Sequence, residues 1–129
     1  MIAGIGVDLV DLARFEKQLE NTPALRDRLF HEAERDNSVR QLAGSFAAKE
    51  ALVKALGSPV GLSWTELRVW RNELGQPILI AQGDSAARLE SLGVDKLHLS
   101  ISHDGGMLIA YVIAEKTYRE GGEDARAAD

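Results

Sequence analysis

The chain has 129 residues, with 20 Asp+Glu against 15 Lys+Arg and a formal net charge of −5. That length fits one core and not two, and 45% apolar with 27% charged residues is the composition of a folded globular domain. With no cysteine, disulfides, zinc–thiolate and iron–sulfur sites and thiol nucleophiles are excluded.

No apolar run approaches the roughly 20 residues that a membrane span requires. The first residues carry no basic stretch ahead of their apolar run and do not read as a signal peptide. The expected compartment is therefore the cytoplasm. The acidic balance also argues against a nucleic-acid partner, which needs Lys and Arg to neutralise phosphates.

Taken in chain order, residues 2–10 read as a strand interrupted by Gly4, Gly6 and Asp8. Asp11 can cap a helix in which Leu12, Phe15 and Leu19 recur at helical spacing, ended by Asn21-Thr22-Pro23. Residues 24–37 are polar and predict short helical turns. Residues 38–56 predict the main helix, rich in Ala and Leu, with Ser38 as N-cap and Gly57 just past its end.

Residues 64–73 and 77–81 predict two strands around a turn at Gly75, and 84–92 a short helix stopped by Gly93. Residues 97–103 and 107–115 predict a hairpin closed by Asp104-Gly105-Gly106. Residues 119–129 hold charges and glycine but no large apolar side chain, and read as a disordered acidic tail after a domain of residues 1–118. The fold class expected is α+β, with about five mostly antiparallel strands and a long Ala-rich helix packed on the sheet.

Three constellations can carry chemistry. Strand parity puts Asp8 on one face with Gly4, Gly6 and Val10, and bare backbone beside a carboxylate lets a ligand approach closely; the plainer reading is a strand end or a cap. In the main helix Glu50 and Lys54 stand at i,i+4 and share a face, with Lys49 about 100° round the helix. The plain reading is a solvated ion pair contributing about 0.3–0.5 kcal/mol. Against it, the helix is apolar around most of its circumference, so the charges are expected to face a cleft. His103 extends a core-facing row at a strand end, where it serves either structure or a phosphate.

Sequence patterns of the common nucleotide sites are absent. No Gly-rich run ends in Gly-Lys-Ser/Thr, and Gly4-Ile5-Gly6 lacks the third glycine of a dinucleotide fingerprint. Two carboxylates with no soft ligand favour a hard cation such as Mg²⁺, held also by substrate phosphates. Lys and His nearby would balance phosphate charge. The residues by themselves therefore point to phosphoryl-type transfer on a diphosphate substrate.

Four segments then stand in order: Gly4-Ile-Gly6-Val-Asp8-Leu, Phe46-Ala-Ala-Lys49-Glu50-Ala-Leu-Val-Lys54-Ala, Gly75-Gln-Pro77, and Ser100-Ile-Ser102-His103. Together they resemble the holo-acyl-carrier-protein synthase family, the small type of 4'-phosphopantetheinyl transferase, over about residues 1–115. The resemblance implies that coenzyme A donates its phosphopantetheine arm to a serine of an acyl carrier protein, with adenosine 3',5'-bisphosphate leaving. It implies Asp8 and Glu50 as Mg²⁺ ligands and Lys54 on the pyrophosphate. It further implies His103 at the coenzyme pocket, Lys49 as an aid to coenzyme A binding, and Glu50 or a metal-associated water as the base.

The resemblance also implies a homotrimer with sites between subunits. Arg14 matches a carrier-binding arginine of the family. Its i,i+3 neighbour Lys17 extends the expected dock, to which Arg26 and Arg28 add. One departure is Ser45, where the family often has arginine, so that a phosphate contact is either lost or supplied by Arg40. The alternatives are a noncatalytic module that binds coenzyme A or the carrier, and a purely structural oligomer former.

Overall fold

Alternation of Gly4, Gly6, Asp8 and Val10 with Ile5, Val7 and Leu9 gives strand β1 (Ile2–Asp11) two unlike faces. In this computed structural model, which describes residues 1–117, β1 pairs antiparallel with β5 (Met107–Glu115), and β5 pairs antiparallel with β4 (Lys96–Asp104). The sheet order is β1-β5-β4. Gly105 and Gly106 close the β4–β5 hairpin at φ 57° and 83°, the double positive φ for which glycine is suited. The expected tail, 119–129, lies outside the described residues.

Strands β2 (Leu67–Arg71) and β3 (Pro77–Ala81) form a separate two-stranded antiparallel sheet. The first of them is shorter than its sequence suggests, because Trp64–Glu66 is a 3-10 turn. Trp64 is drawn out of the ladder in two ways: its ring packs on Phe46 at 6.0 Å between centroids, and its carbonyl accepts from Lys49 Nζ at 3.1 Å. Glu66 at the end of the turn accepts from the backbone N–H groups of Asp84 and Ser85. That carboxylate caps helix α4 (Gly83–Ser91), and a bond from the Ser85 hydroxyl at 2.8 Å, together with those backbone bonds, holds it below the usual carboxylate range.

The caps at Asp11, Ser38 and Gly57 are those read from sequence. Asp11 Oδ1 accepts from the Arg14 backbone N–H and starts α1 (Leu12–Asn21), which buries Phe15 and Leu19. A single short helix, α2 (Leu25–Leu29), and a 3-10 turn at Glu32–Glu34 fill the polar stretch. The long helix α3 (Val39–Leu56) begins with a reciprocal capping box between Ser38 and Gln41 and ends at Gly57 with φ 83°.

Helix α3 lies across β1 and β5, and small residues set its depth. Ala43, Ala47, Ala48 and Ala51 are fully buried, as are Ala110 and Ala114 of β5. Where β1 passes beneath, a Cβ on Gly4 would fall inside the carbonyl oxygen of Ala55, and one on Gly6 inside that of Ala51. The bare backbone of β1 therefore admits a helix, not a ligand as its sequence suggested. The opposite face of the sheet is apolar and uncovered: Ile5 is 61%, Leu9 59% and Tyr111 47% exposed, with Val7 directly across from Tyr111.

Candidate active site

The approach of α3 to Gly6 decides where Asp8 goes. Two residues on along the same face of β1, Asp8 meets the side chains that α3 projects from the turn around Glu50 and Lys54. Lys54 Nζ donates to Asp8 Oδ1 at 3.0 Å and to the Val7 carbonyl at 3.1 Å. An ammonium has three donors, so one N–H of Lys54, whose side chain is 54% exposed, remains for an incoming anion.

Glu50 completes the group. Its carboxyl is raised above the usual range, first by burial and then by the Asp8 charge, with Lys54 opposing both. Two converging carboxylates with one lysine between them lack positive charge. Among the described residues no group of three or more His, Asp or Glu side chains stands together, so the chain does not build a closed metal cage. Two oxygen donors with open positions suit a hard divalent cation that keeps water and substrate phosphates as its other ligands. Asp8, Glu50 and Lys54, chosen from spacing, are thus brought together.

Lys49 is not among them. It is 0% exposed, and its Nζ donates to Glu34 Oε1 at 2.8 Å, the Leu29 carbonyl at 2.9 Å and the Trp64 carbonyl at 3.1 Å. All three N–H groups are engaged inside the protein, so its expected contact with coenzyme A is corrected to an interior role. Burial pushes its pKa down, against the pull of Glu34. The other Glu34 oxygen accepts from the Val69 backbone N–H at 2.8 Å and from the Ser45 hydroxyl. Ser45 is buried and turned to Glu34, not to solvent.

His103 occupies a second place. It is exposed at the end of β4, in a row with Leu108 of β5 and Val10 of β1. There it lines a cleft of about 510 Å³ over the N-terminal half of α3, together with Arg40, Arg68, Trp70 and Arg71. Arg40 was anticipated; Arg68, Trp70 and Arg71 were not. Their only signal is that Arg68 interrupts the apolar alternation of Leu67 and Val69, which reads equally well as a solvent-facing strand position. Glu34 carried no signal, being one acid in a polar run. Arg14 and Lys17 are exposed on α1, and neither side chain enters an ion pair or hydrogen bond among the described residues.

A family model described as the 4'-phosphopantetheinyl transferase superfamily matches residues 4–112. The chain is 52% identical to the holo-[acyl-carrier-protein] synthase of Kocuria rhizophila, over 96% of this chain and 99% of that protein. The crystal structure of the Neisseria meningitidis holo-[acyl-carrier-protein] synthase superposes with a TM-score of 0.83 at 31% identity, covering 90% of this chain and 100% of that one. The Helicobacter pylori synthase in complex with coenzyme A gives 0.75 at 29% identity, covering 86% and 99%. A family model matched over residues 4–112 and relatives about half identical along nearly their whole length, with the same α+β fold, place this chain in the 4'-phosphopantetheinyl transferase superfamily, among the holo-[acyl-carrier-protein] synthases.

Proposed function

We propose that this chain transfers the 4'-phosphopantetheine group of coenzyme A to a serine of an apo acyl carrier protein, releasing adenosine 3',5'-bisphosphate. The observation that carries the reading is the Asp8–Lys54–Glu50 cluster, with its unfilled need for positive charge and its one free ammonium donor. The similarity to named synthases, one of them solved with coenzyme A, supplies the substrate class.

In this reading the serine oxygen forms a bond to the phosphorus nearer the pantetheine arm, and the bond from that phosphorus to the bridging oxygen breaks. Asp8 and Glu50 would hold Mg²⁺, which when bound neutralises charge on the pyrophosphate. Asp8 and the Val7 carbonyl fix Lys54, so its third N–H is presented to a phosphate oxygen and stabilises the leaving group. The serine proton would pass to Glu50 or to a metal-associated water. His103 contacts phosphate from the second cleft. Arg14 and Lys17, exposed on α1 and without an ion-pair partner among the described residues, form the dock for the acidic carrier.

The reading includes a homotrimer. Its support is the uncovered face of Ile5, Leu9 and Tyr111, since apolar patches of this kind mark interfaces. It is supported too by the division of the site between a carboxylate cluster and a separate cationic cleft. Light scattering should give three times the chain mass of 14.0 kDa; a monomer at micromolar concentration contradicts it.

The deciding experiment is mass spectrometry of an apo carrier protein after incubation with the chain, coenzyme A and Mg²⁺. The carrier should gain one phosphopantetheine, and EDTA should abolish the gain. Binding of coenzyme A without any mass change, over a panel of carriers, would leave only the noncatalytic module. Asp8→Asn and Glu50→Gln should each reduce the rate by about 10²-fold or more.

Glu50→Gln carries a second, opposite readout. A carboxyl raised in the folded state destabilises the fold once both states are ionised, and the cost vanishes below its unfolded value of about 4.3. The metal-free variant should therefore melt higher than wild type at pH 7–8, with the gain shrinking towards pH 4. A melting temperature below wild type at pH 8 contradicts the charge deficit.

A further inference from the structure

Strand β2 ladders with β3 alone and stands apart from the three-stranded sheet, so something other than a ladder must fix it against α3. Among the described residues, only one hydrogen bond leaves β2 for a part of the chain outside its own hairpin. The Val69 N–H donates to Glu34 Oε2 at 2.8 Å. The same oxygen accepts from the Ser45 hydroxyl of α3. One carboxylate oxygen therefore joins the two walls of the cleft.

The two oxygens of Glu34 serve different parts of the molecule. Oε1 accepts from Lys49 Nζ at 2.8 Å and from the His31 N–H at 3.3 Å. Oε2 is on the cleft side, since Glu34, Ser45 and Val69 all line the cleft and Lys49 does not. Glu34 is only 2% exposed, and with a donor on each of its acceptor sites it has no capacity left for a ligand. Arg68 and Trp70, on either side of Val69, line the same cleft, so a shift of Val69 moves both.

We propose that Glu34 is a positioning residue whose Oε2 fixes the β2 wall of the cleft against α3, and so sets the affinity for coenzyme A without touching it. The inference rests on the coenzyme A reading above. Burial of Leu67 also holds β2 to the core, but apolar burial is non-directional, whereas the bonds to Oε2 require a set distance and angle. The Asp8–Glu50–Lys54 cluster shares no residue with the cleft. A displaced wall therefore weakens binding and leaves the chemical step nearly as it was.

The test is steady-state transfer with coenzyme A varied, together with hydrogen exchange of the free full chain. Ser45→Ala should raise KM for coenzyme A by about 3- to 10-fold, with kcat within about twofold of wild type. Glu34→Gln should raise KM further, because its amide nitrogen must face a donor, at Val69 or at Lys49. In both variants the β2 amides should exchange faster while those of α3 keep their protection. Lys49→Met leaves Oε2 and its two bonds in place, and should lower the melting temperature without moving KM. An unchanged KM in both cleft-side variants, unchanged exchange of β2, kcat falling as far as KM rises, or an equal rise of KM in Lys49→Met overturns the assignment. Failure of the coenzyme A reading is separate: it appears as an apo carrier whose mass never changes with wild type, while hydrogen exchange still reads how β2 is held.

Discussion

Gly6→Ala should destabilise the protein by more than about 3 kcal/mol, beyond the usual 1–3 kcal/mol of an overpacked core. The added methyl would occupy the position of the Ala51 carbonyl oxygen and lie 2.7 Å from the Ala55 nitrogen. Both are helix backbone, which cannot turn aside as a side chain can, so α3 must lift from β1. Against a typical stability of about 5–15 kcal/mol, such a variant is marginal. Denaturant midpoints measure it, and an unchanged midpoint would show that α3 does not lie on Gly6. The folded remainder should also lose transfer activity, because Asp8 and Glu50 meet only while α3 keeps its depth.

Lys49→Ala should be comparably severe, at about 3–5 kcal/mol, the usual result of removing one partner of a buried ion pair. Glu34 would keep its charge in the interior, and the Leu29 and Trp64 carbonyls would lose their donor. Those bonds join the end of α2, the turn before β2 and the middle of α3. The double variant Lys49→Met/Glu34→Gln removes both charges and should be less destabilised than the sum of its single changes. Strict additivity, or a Lys49→Ala protein as stable as wild type, would refute the buried pair. Coenzyme A affinity in whatever folds should change little, in contrast to Lys54→Ala.

These two expectations show where sequence reading stops. Lys49 and Lys54 look alike on paper: each is a lysine in an Ala-rich helix beside Glu50. A helix that is apolar nearly all round has no polar face to orient the charges, so its periodicity cannot say which lysine meets water. Glu34 lies 15 residues from Lys49 and in another element. Only packing brings the pair together. The glycines of β1 pose the same difficulty, since missing side chains signal a close approach without saying what approaches.

What the chain determined by itself is local. Ser38 and Gly57 bound α3 because they satisfy helix-end groups, Gly105 and Gly106 close the hairpin because they accept positive φ, and parity along β1 puts Asp8 on the inner face. The i,i+4 spacing puts Glu50 and Lys54 on one side. The tertiary structure decided what local rules cannot reach: that α3 rests on bare backbone, that Lys49 is interior, and that Arg68, Trp70 and His103, from two separate sheets, share one cleft. Burial and charge pairing act between elements far apart in sequence, and only the folded chain sets those distances.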